Sequence, residues 1–410
     1  MILRLLPFIK APPHSLNAAE PKCPTTCLCS YDYNEDYSFF CSSRNPSRIP
    51  DLLPKNARDL WPYLQQVHLG HYKSLTCSWA SNLRRLFLQH KDITPIDDNS
   101  FSDIQDLLEL DLRFNKLSQL SARSFTGLKN LSDLLLAKNL LQTLSSETFS
   151  PFQKLQWLDL SDNQLTIRVF KDLQFLEELN LSYNKLRTLV ERVFEGLGQL
   201  EFLSLNNNNI QEIRPGAFTG LFSMAVMNLS GNCFRTLYDH SFRGLEKLHS
   251  LHVRLFLQRN TVIDDNSFSD IQDLLELDLR FNKLSQLSAR SFTGLKNLSD
   301  LLLAKNLLQT LSSETFSPFQ KLQWLDLSDN QLTILWLLRN HWDCSCSLKD
   351  LRDFCLKNAT IVPRVVQSVS EGYDTSPPSY IYNNVTCATP SQVVGKDLRD
   401  LNDERFAQCP

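Results

Sequence analysis

From residue 83 to residue 338 apolar positions recur in one order, L-x-x-L-x-L-x-x-N-x-L-x-x-L-x-x-x-x-F-x-x-L, about every 24 residues. One complete unit is Leu107, Leu110, Leu112, Asn115, Leu117, Leu120, Phe125 and Leu128. The order returns over 131–154, 176–199, 200–223, 224–247, 274–297 and 298–321, with shorter or degenerate units at 83–106, 155–175, 252–273 and 322–338. Each L-x-L triplet predicts a short strand, because strand side chains alternate and leave the leucines inward and their neighbours outward. The shared turn position holds Asn115, Asn139, Asn163, Asn184, Asn208, Asn232, Asn282, Asn306 and Asn330. A carboxamide there can satisfy backbone groups of adjacent coils. Phe101, Phe125, Phe149, Phe194, Phe218 and Phe242 are expected to fill the opposite side. No single unit can bury its apolar side alone, so the units must stack and their ends need caps.

This spacing is that of leucine-rich repeats. The fold class it predicts is an α/β repeat solenoid, a horseshoe with a concave sheet of short parallel strands and an irregular or 3-10 convex side, capped at both ends by cysteine-rich segments. The domain reading is a poorly defined segment 1–22, an N-terminal cap 23–58, about eleven repeats over 59–338 with the first degenerate, and a C-terminal cap 339–410.

The cysteine distribution points to an oxidising compartment. Cys23, Cys27, Cys29 and Cys41 crowd one end, Cys344, Cys346, Cys355, Cys387 and Cys409 the other, and Cys77 and Cys233 stand between. Clusters flanking a cysteine-poor middle suggest disulfide staples and export. The Cys-x-Cys pairs also admit a zinc site, which the absence of paired Cys-x-x-Cys spacing disfavours. Residues 1–22 make a weak export signal, and no apolar run is long enough for a membrane anchor. Forty-two basic against 45 acidic side chains, a net charge of −3, argue against nucleic acid as partner.

Several stretches outside the scaffold positions carry a narrower resemblance. Leu28-Cys29-Ser30-Tyr31-Asp32, Phe40-Cys41-Ser42-Ser43-Arg44-Asn45, Phe175-Leu176-Glu177-Glu178-Leu179, Ala225-Val226-Met227-Asn228 and Tyr382-Asn383-Asn384-Val385-Thr386-Cys387 are among them. On these the chain resembles the insulin-like growth factor acid-labile subunit family of extracellular leucine-rich-repeat proteins, shortened and internally duplicated. The resemblance implies disulfides Cys344–Cys387 and Cys346–Cys409, and Cys23–Cys29 and Cys27–Cys41 at the other end. It implies a secreted, non-enzymatic subunit that joins a complex of insulin-like growth factor with an IGF-binding protein and prolongs its circulation, with no cofactor and no membrane anchor. The alternative is a receptor-like or matrix repeat protein that binds microbial or matrix ligands on the same scaffold.

Residues 96–167 and 263–334 are identical at every one of their 72 positions. Other units share only scaffold residues, so this identity marks either a very recent duplication or a misassembled gene. The edges are irregular: the unit 155–175 is three residues short, and Val253 runs directly into a second strand-like stretch.

Outward strand positions form the candidate partner-binding surface: Glu109, Asp111, Asp133, Trp157, Asp159, Glu178, Glu276, Asp278, Asp300, Trp324 and Asp326. Nine acids there, against Arg85, Arg113, Arg254 and Arg280, predict an acidic face that steers a basic protein. The tryptophans are candidate anchors. Six sequons, Asn130, Asn180, Asn228, Asn297, Asn358 and Asn384, are candidate glycosylation sites. Nucleophile elbows and phosphate loops are missing from the sequence. His68-x-x-His71 and His249-x-x-His252 lack the i, i+4 spacing of a zinc helix, so catalysis and metal binding are not expected.

Overall fold

In a computed structural model the described residues are the strands at 27–31, 37–41 and 57–62, then 83–335 except 167–169, 171, 235, 254–261 and 333, and then 342–344, 349–357, 359, 362, 364–368, 379–382, 384–402 and 404. Residues 1–22, Cys23, Cys77, Arg254, Cys346, Asn358 and Cys409 fall outside them, as do the side chains of Cys27, Cys29 and Cys41.

One long sheet organises the chain. Its strands in order are β1 (Cys27–Tyr31), β2 (Tyr37–Cys41), β3 (Ala57–Pro62), β4 (Arg85–Phe87), β5 (Glu109–Asp111), β6 (Asp133–Leu135), β7 (Trp157–Asp159), β8 (Glu178–Asn180), β9 (Phe202–Ser204), β10 (Val226–Asn228), β11 (Ser250–His252), β12 (Glu276–Asp278), β13 (Asp300–Leu302) and β14 (Trp324–Asp326). β1 and β2 are antiparallel, with the backbone of Cys27 opposite that of Cys41; every later pair is parallel. Each repeat thus adds one strand beside its predecessor, and the middle leucine of each triplet is buried in almost every coil.

The asparagines tie neighbouring coils together. Asn139 Oδ1 accepts the Leu117 N–H at 3.0 Å, and its Nδ2 donates to the Leu112 and Leu136 carbonyls, both at 3.0 Å. Asn163, Asn184, Asn208 and Asn306 repeat the arrangement one coil at a time. Each carboxamide therefore occupies buried backbone groups that no strand ladder reaches.

On the far side the phenylalanines stack, with centroids 6.1 Å apart between Phe194 and Phe218 and 6.2 Å between Phe218 and Phe242. This side is turns, a 3-10 helix at Ser146–Phe149, a one-turn helix at Ser313–Phe316 and two-residue parallel strands such as Thr188–Leu189 with Glu212–Ile213. Gly127 sits in its turn at φ +101°, where a Cβ would lie 2.7 Å from Ser102 Cα; Gly294 repeats this at φ +100° and 2.8 Å from Ser269 Cα. Only glycine can bring those backbones so close.

The irregular units do not interrupt the stack. In the short coil Phe170 takes the phenylalanine place, 6.3 Å from Phe149 and 6.4 Å from Phe194, and Trp157–Asp159 still pairs with Glu178–Asn180. Ser250, Leu251 and His252 face Glu276, Leu277 and Asp278 across the second irregularity, and Asn282 Nδ2 still reaches back to the Val253 carbonyl at 2.7 Å. Near the C-terminus a disulfide joins Cys344 to Cys387, helix Lys349–Lys357 supplies Arg352 to the Leu401 carbonyl, and Arg399 pairs with Asp397 at 2.7 Å.

Candidate protein-binding face

Because the strands are parallel and in register, the outward positions align in rows across the sheet. One row runs Arg85, Glu109, Asp133, Trp157, Glu178, Phe202, Val226, Ser250, Glu276, Asp300, Trp324. The row two residues on runs Phe87, Asp111, Leu135, Asp159, Asn180, Ser204, Asn228, His252, Asp278, Leu302, Asp326. All eleven residues expected on the binding surface are brought together on this one face. Trp157 and Trp324 are 41% and 47% exposed, large values for indoles in a sheet.

The acids are not equally available. Asp111 departs from the expectation: it is fully buried, and its carboxylate receives Arg113 Nη2 at 2.6 Å and the Arg113 backbone N–H at 3.0 Å. Phe87, itself buried, stands directly opposite it in the neighbouring strand. Asp278, its counterpart in the second copy, holds Arg280 at 2.8 Å but stands opposite His252 instead, 3.7 Å from Nδ1. Arg113 and Arg280 are therefore partners of the face's own acids, and the net acidity rests on Asp133, Asp159, Glu178, Asp300 and Asp326 more than on Asp111 and Asp278.

Asp278 shows how local charge sets protonation. Burial opposes its ionisation, but His252 and Arg280 beside it prevail and hold the carboxyl well below its ordinary value. Asp278, helped by Glu276, raises the His252 pKa against the opposing effect of burial. A raised histidine stabilises the fold below its unfolded value near 6.5 and stops doing so as pH climbs through the higher folded value; a depressed carboxyl does so above its unfolded value near 3.8. The pair's contribution is thus fullest between these two values. Urea unfolding of wild type and His252→Gln should differ most at mildly acidic pH and converge on the alkaline side. A gap that widens with rising pH would contradict the pairing.

Ser250, His252 and Asp278 superficially match a nucleophilic triad, with Ser250 Oγ 3.2 Å from His252 Nε2. The chemistry does not follow. Ser250 Oγ also donates to Glu276 at 3.2 Å, and Asp278, 3.7 Å from His252 Nδ1, shares its carboxylate with Arg280 at 2.8 Å. Among the described residues no group of three metal-capable side chains gathers, and no helix is long and apolar enough to cross a membrane.

Sequence reasoning missed one rim of the face. His90, Phe114, Lys138, Asp162, Tyr183, Asn207, Phe281, Lys305 and Asp329 share a left-handed backbone position just beyond the strands. There His90 stacks on Phe114 at 4.2 Å, Lys138 lies 4.8 Å over the Phe114 ring, and Lys305 lies 4.8 Å over Phe281. The signal was the eighth place of each repeat, one step before the asparagine. Phe202, 38% exposed in the row between the tryptophans, was also overlooked.

Two of the sequon asparagines lie on the face itself. Asn180 and Asn228 are half-buried, separated by Ser204, and each Oδ1 accepts the N–H two residues on, from Ser182 at 3.1 Å and Ser230 at 3.0 Å. The carboxamide oxygen is the engaged end, and the nitrogen is the atom a glycan would use. Asn130 and Asn297 flank the sheet and donate to the Gln105 and Gln272 carbonyls, both at 3.2 Å. Asn130 lines a hollow of about 680 Å³ with Arg84, Leu108 and Phe175, and Asn384 is exposed. Cys233 and Cys355 are free thiols; Cys355 is buried, and burial pushes its pKa up to about 12.

A profile of the family described as Leucine rich repeat matches residues 81–139, 122–165, 165–210, 199–260, 254–308 and 274–332. The chain belongs to the leucine-rich-repeat family. Among curated relatives, the insulin-like growth factor-binding protein complex acid labile subunit of Homo sapiens is 60% identical over 75 residues, 18% of this chain and 12% of that protein. The Rattus norvegicus protein of the same name is 57% identical over 75 residues, with the same shares. The aligned stretch therefore spans only 12% of the length of these relatives. A solved leucine-rich-repeat protein of Leptospira interrogans superposes with a TM-score of 0.51 at 24% identity, covering 71% of this chain and 86% of that one; it supports the fold alone. Leucine-rich-repeat proteins of this kind bind other proteins without catalysing a reaction.

Proposed function

We propose that this chain is a secreted, glycosylated carrier subunit that joins a complex of insulin-like growth factor with its binding protein and prolongs that complex's circulation. The observation that carries a protein-binding role is the register that collects acids and two exposed tryptophans on one face of the sheet. The choice of partner is supported by the acid labile subunits that match it at 57–60% identity over 75 residues, whose name describes such a complex. The acids would speed encounter with a basic surface, and glycans on Asn180 and Asn228 would move contacts toward the two flanks.

Surface-immobilised chain should bind the growth factor–binding-protein complex with an on-rate that falls roughly tenfold or more between low and high salt, since the screening length shrinks from about 10 Å at 0.1 M to about 3 Å at 1 M. Asp159→Asn and Asp326→Asn should each slow association a few-fold. Binding that is indifferent to both salt and acid at pH 3 would rule out charge-steered capture. Recovery of collagen or microbial glycan from serum in place of an IGF-binding protein would overturn the choice of partner.

A further inference from the structure

We infer that the face of the sheet carries two similar docking sites for one kind of partner, a protein segment rich in arginine or lysine, so that one chain takes up two copies of it. This rests on the reading above that the open sheet is the ligand-binding face.

The first observation is that the duplicated sequence folds into the duplicated surface. Both copies have their strands in the same sheet, with Glu109, Asp133 and Trp157 side by side in one and Glu276, Asp300 and Trp324 in the other. Details repeat as well: Arg113 closes on Asp111 as Arg280 does on Asp278, Lys138 covers Phe114 as Lys305 covers Phe281, and Ser121 bonds Asp98 as Ser288 bonds Asp265. Trp157 and Trp324 emerge to nearly the same extent.

The second observation is how charge is distributed along the sheet. In the two rows, β5–β7 carry Glu109, Asp111, Asp133 and Asp159, and β12–β14 carry Glu276, Asp278, Asp300 and Asp326. The four strands between them, β8–β11, contribute one carboxylate, Glu178. Acidity is thus concentrated in two separate patches, and the sequons Asn180 and Asn228 lie in the gap. Within each patch an exposed indole stands beside an aspartate on the adjacent strand and another two residues along its own. Carboxylates with an aromatic face suit a guanidinium or ammonium group, by charge complementarity and cation–π attraction together.

Trp157 and Trp324 are seven strand intervals apart, roughly 34 Å along the sheet at about 4.8 Å each. A flexible glycine–serine tether of about 40 residues spans that distance on average.

The test uses the full chain and a fluorescent arginine-rich peptide as probe. Wild type should saturate at two peptides per chain, Trp157→Ala and Trp324→Ala at one each, and the double variant should lose binding. Both indoles are exposed, so circular dichroism and melting should be unchanged. Two peptides joined by the tether should bind one per chain and at least about a hundredfold more tightly than the single peptide, a gain that either variant removes. Saturation at one peptide, abolished by only one of the two substitutions, would overturn the two-site inference and leave the binding face intact. Undiminished binding to the double variant, or none to wild type, would overturn both. If the growth-factor complex failed to bind while the peptide still saturated at two, the proposed function would fall and this inference would stand.

Discussion

Asn139→Leu is expected to cost about 3–9 kcal/mol of stability, although the residue belongs to no strand of the sheet. Its carboxamide serves Leu117 N–H and the carbonyls of Leu112 and Leu136. All three are buried, and leucine offers none of them a partner, so each group adds its own desolvation penalty of about 1–3 kcal/mol. The near-isosteric side chain fills the space, which separates lost hydrogen bonds from a lost volume. The molecule supplies its own replicate: Asn306 accepts from Leu284 at 3.1 Å and donates to the Leu279 and Leu303 carbonyls at 3.0 and 2.8 Å. Urea unfolding followed by circular dichroism should show similar losses for Asn139→Leu and Asn306→Leu. Hydrogen exchange should accelerate first in the coils adjoining each substitution, because a stacked repeat fails locally. A loss below about 1 kcal/mol for both would mean that solvent already serves those groups.

The second large effect is expected at Phe218→Ala, at about 3–5 kcal/mol. The ring is fully buried and sandwiched between Phe194 and Phe242. Removing it leaves a void that two rigid neighbours cannot close without shifting the coils that carry them. Phe218→Leu, which keeps most of the volume, should cost far less. The double variant Phe194→Ala/Phe218→Ala should fall short of the sum of the single losses, since the second ring removed no longer has its stacking partner. Strict additivity, read from chemical denaturation, would show that the rings act as separate plugs and that the column is not a cooperative unit.

Much of the architecture was legible because one spacing encodes three structures at once. Leu110, Leu134 and Leu158 face inward as the strand period requires, Asn115 and Asn139 fall where the turn exposes backbone groups, and Phe101 and Phe125 stack on the other side. What escaped was whatever depends on contacts between coils. Asp111 stands opposite Phe87, 24 residues earlier, whereas the identical Asp278 stands opposite His252. Identical residues differ in exposure between the two copies. The irregular units read as breaks because spacing alone cannot show that Phe170 restores the phenylalanine column three residues early. The rim of left-handed residues was hidden for another reason: phenylalanine, lysine, aspartate and tyrosine share no chemistry, only a backbone angle.

A stack assembled from interchangeable parts has a kinetic consequence. During refolding the coil that ends at β4 meets two indistinguishable candidates for the next place, one beginning near residue 96 and the other near residue 263. The wrong choice satisfies every local contact while looping out the intervening coils, and it is corrected only by unstacking. Refolding after a jump out of denaturant therefore divides into a fast, correctly threaded population and a slow, rearranging one.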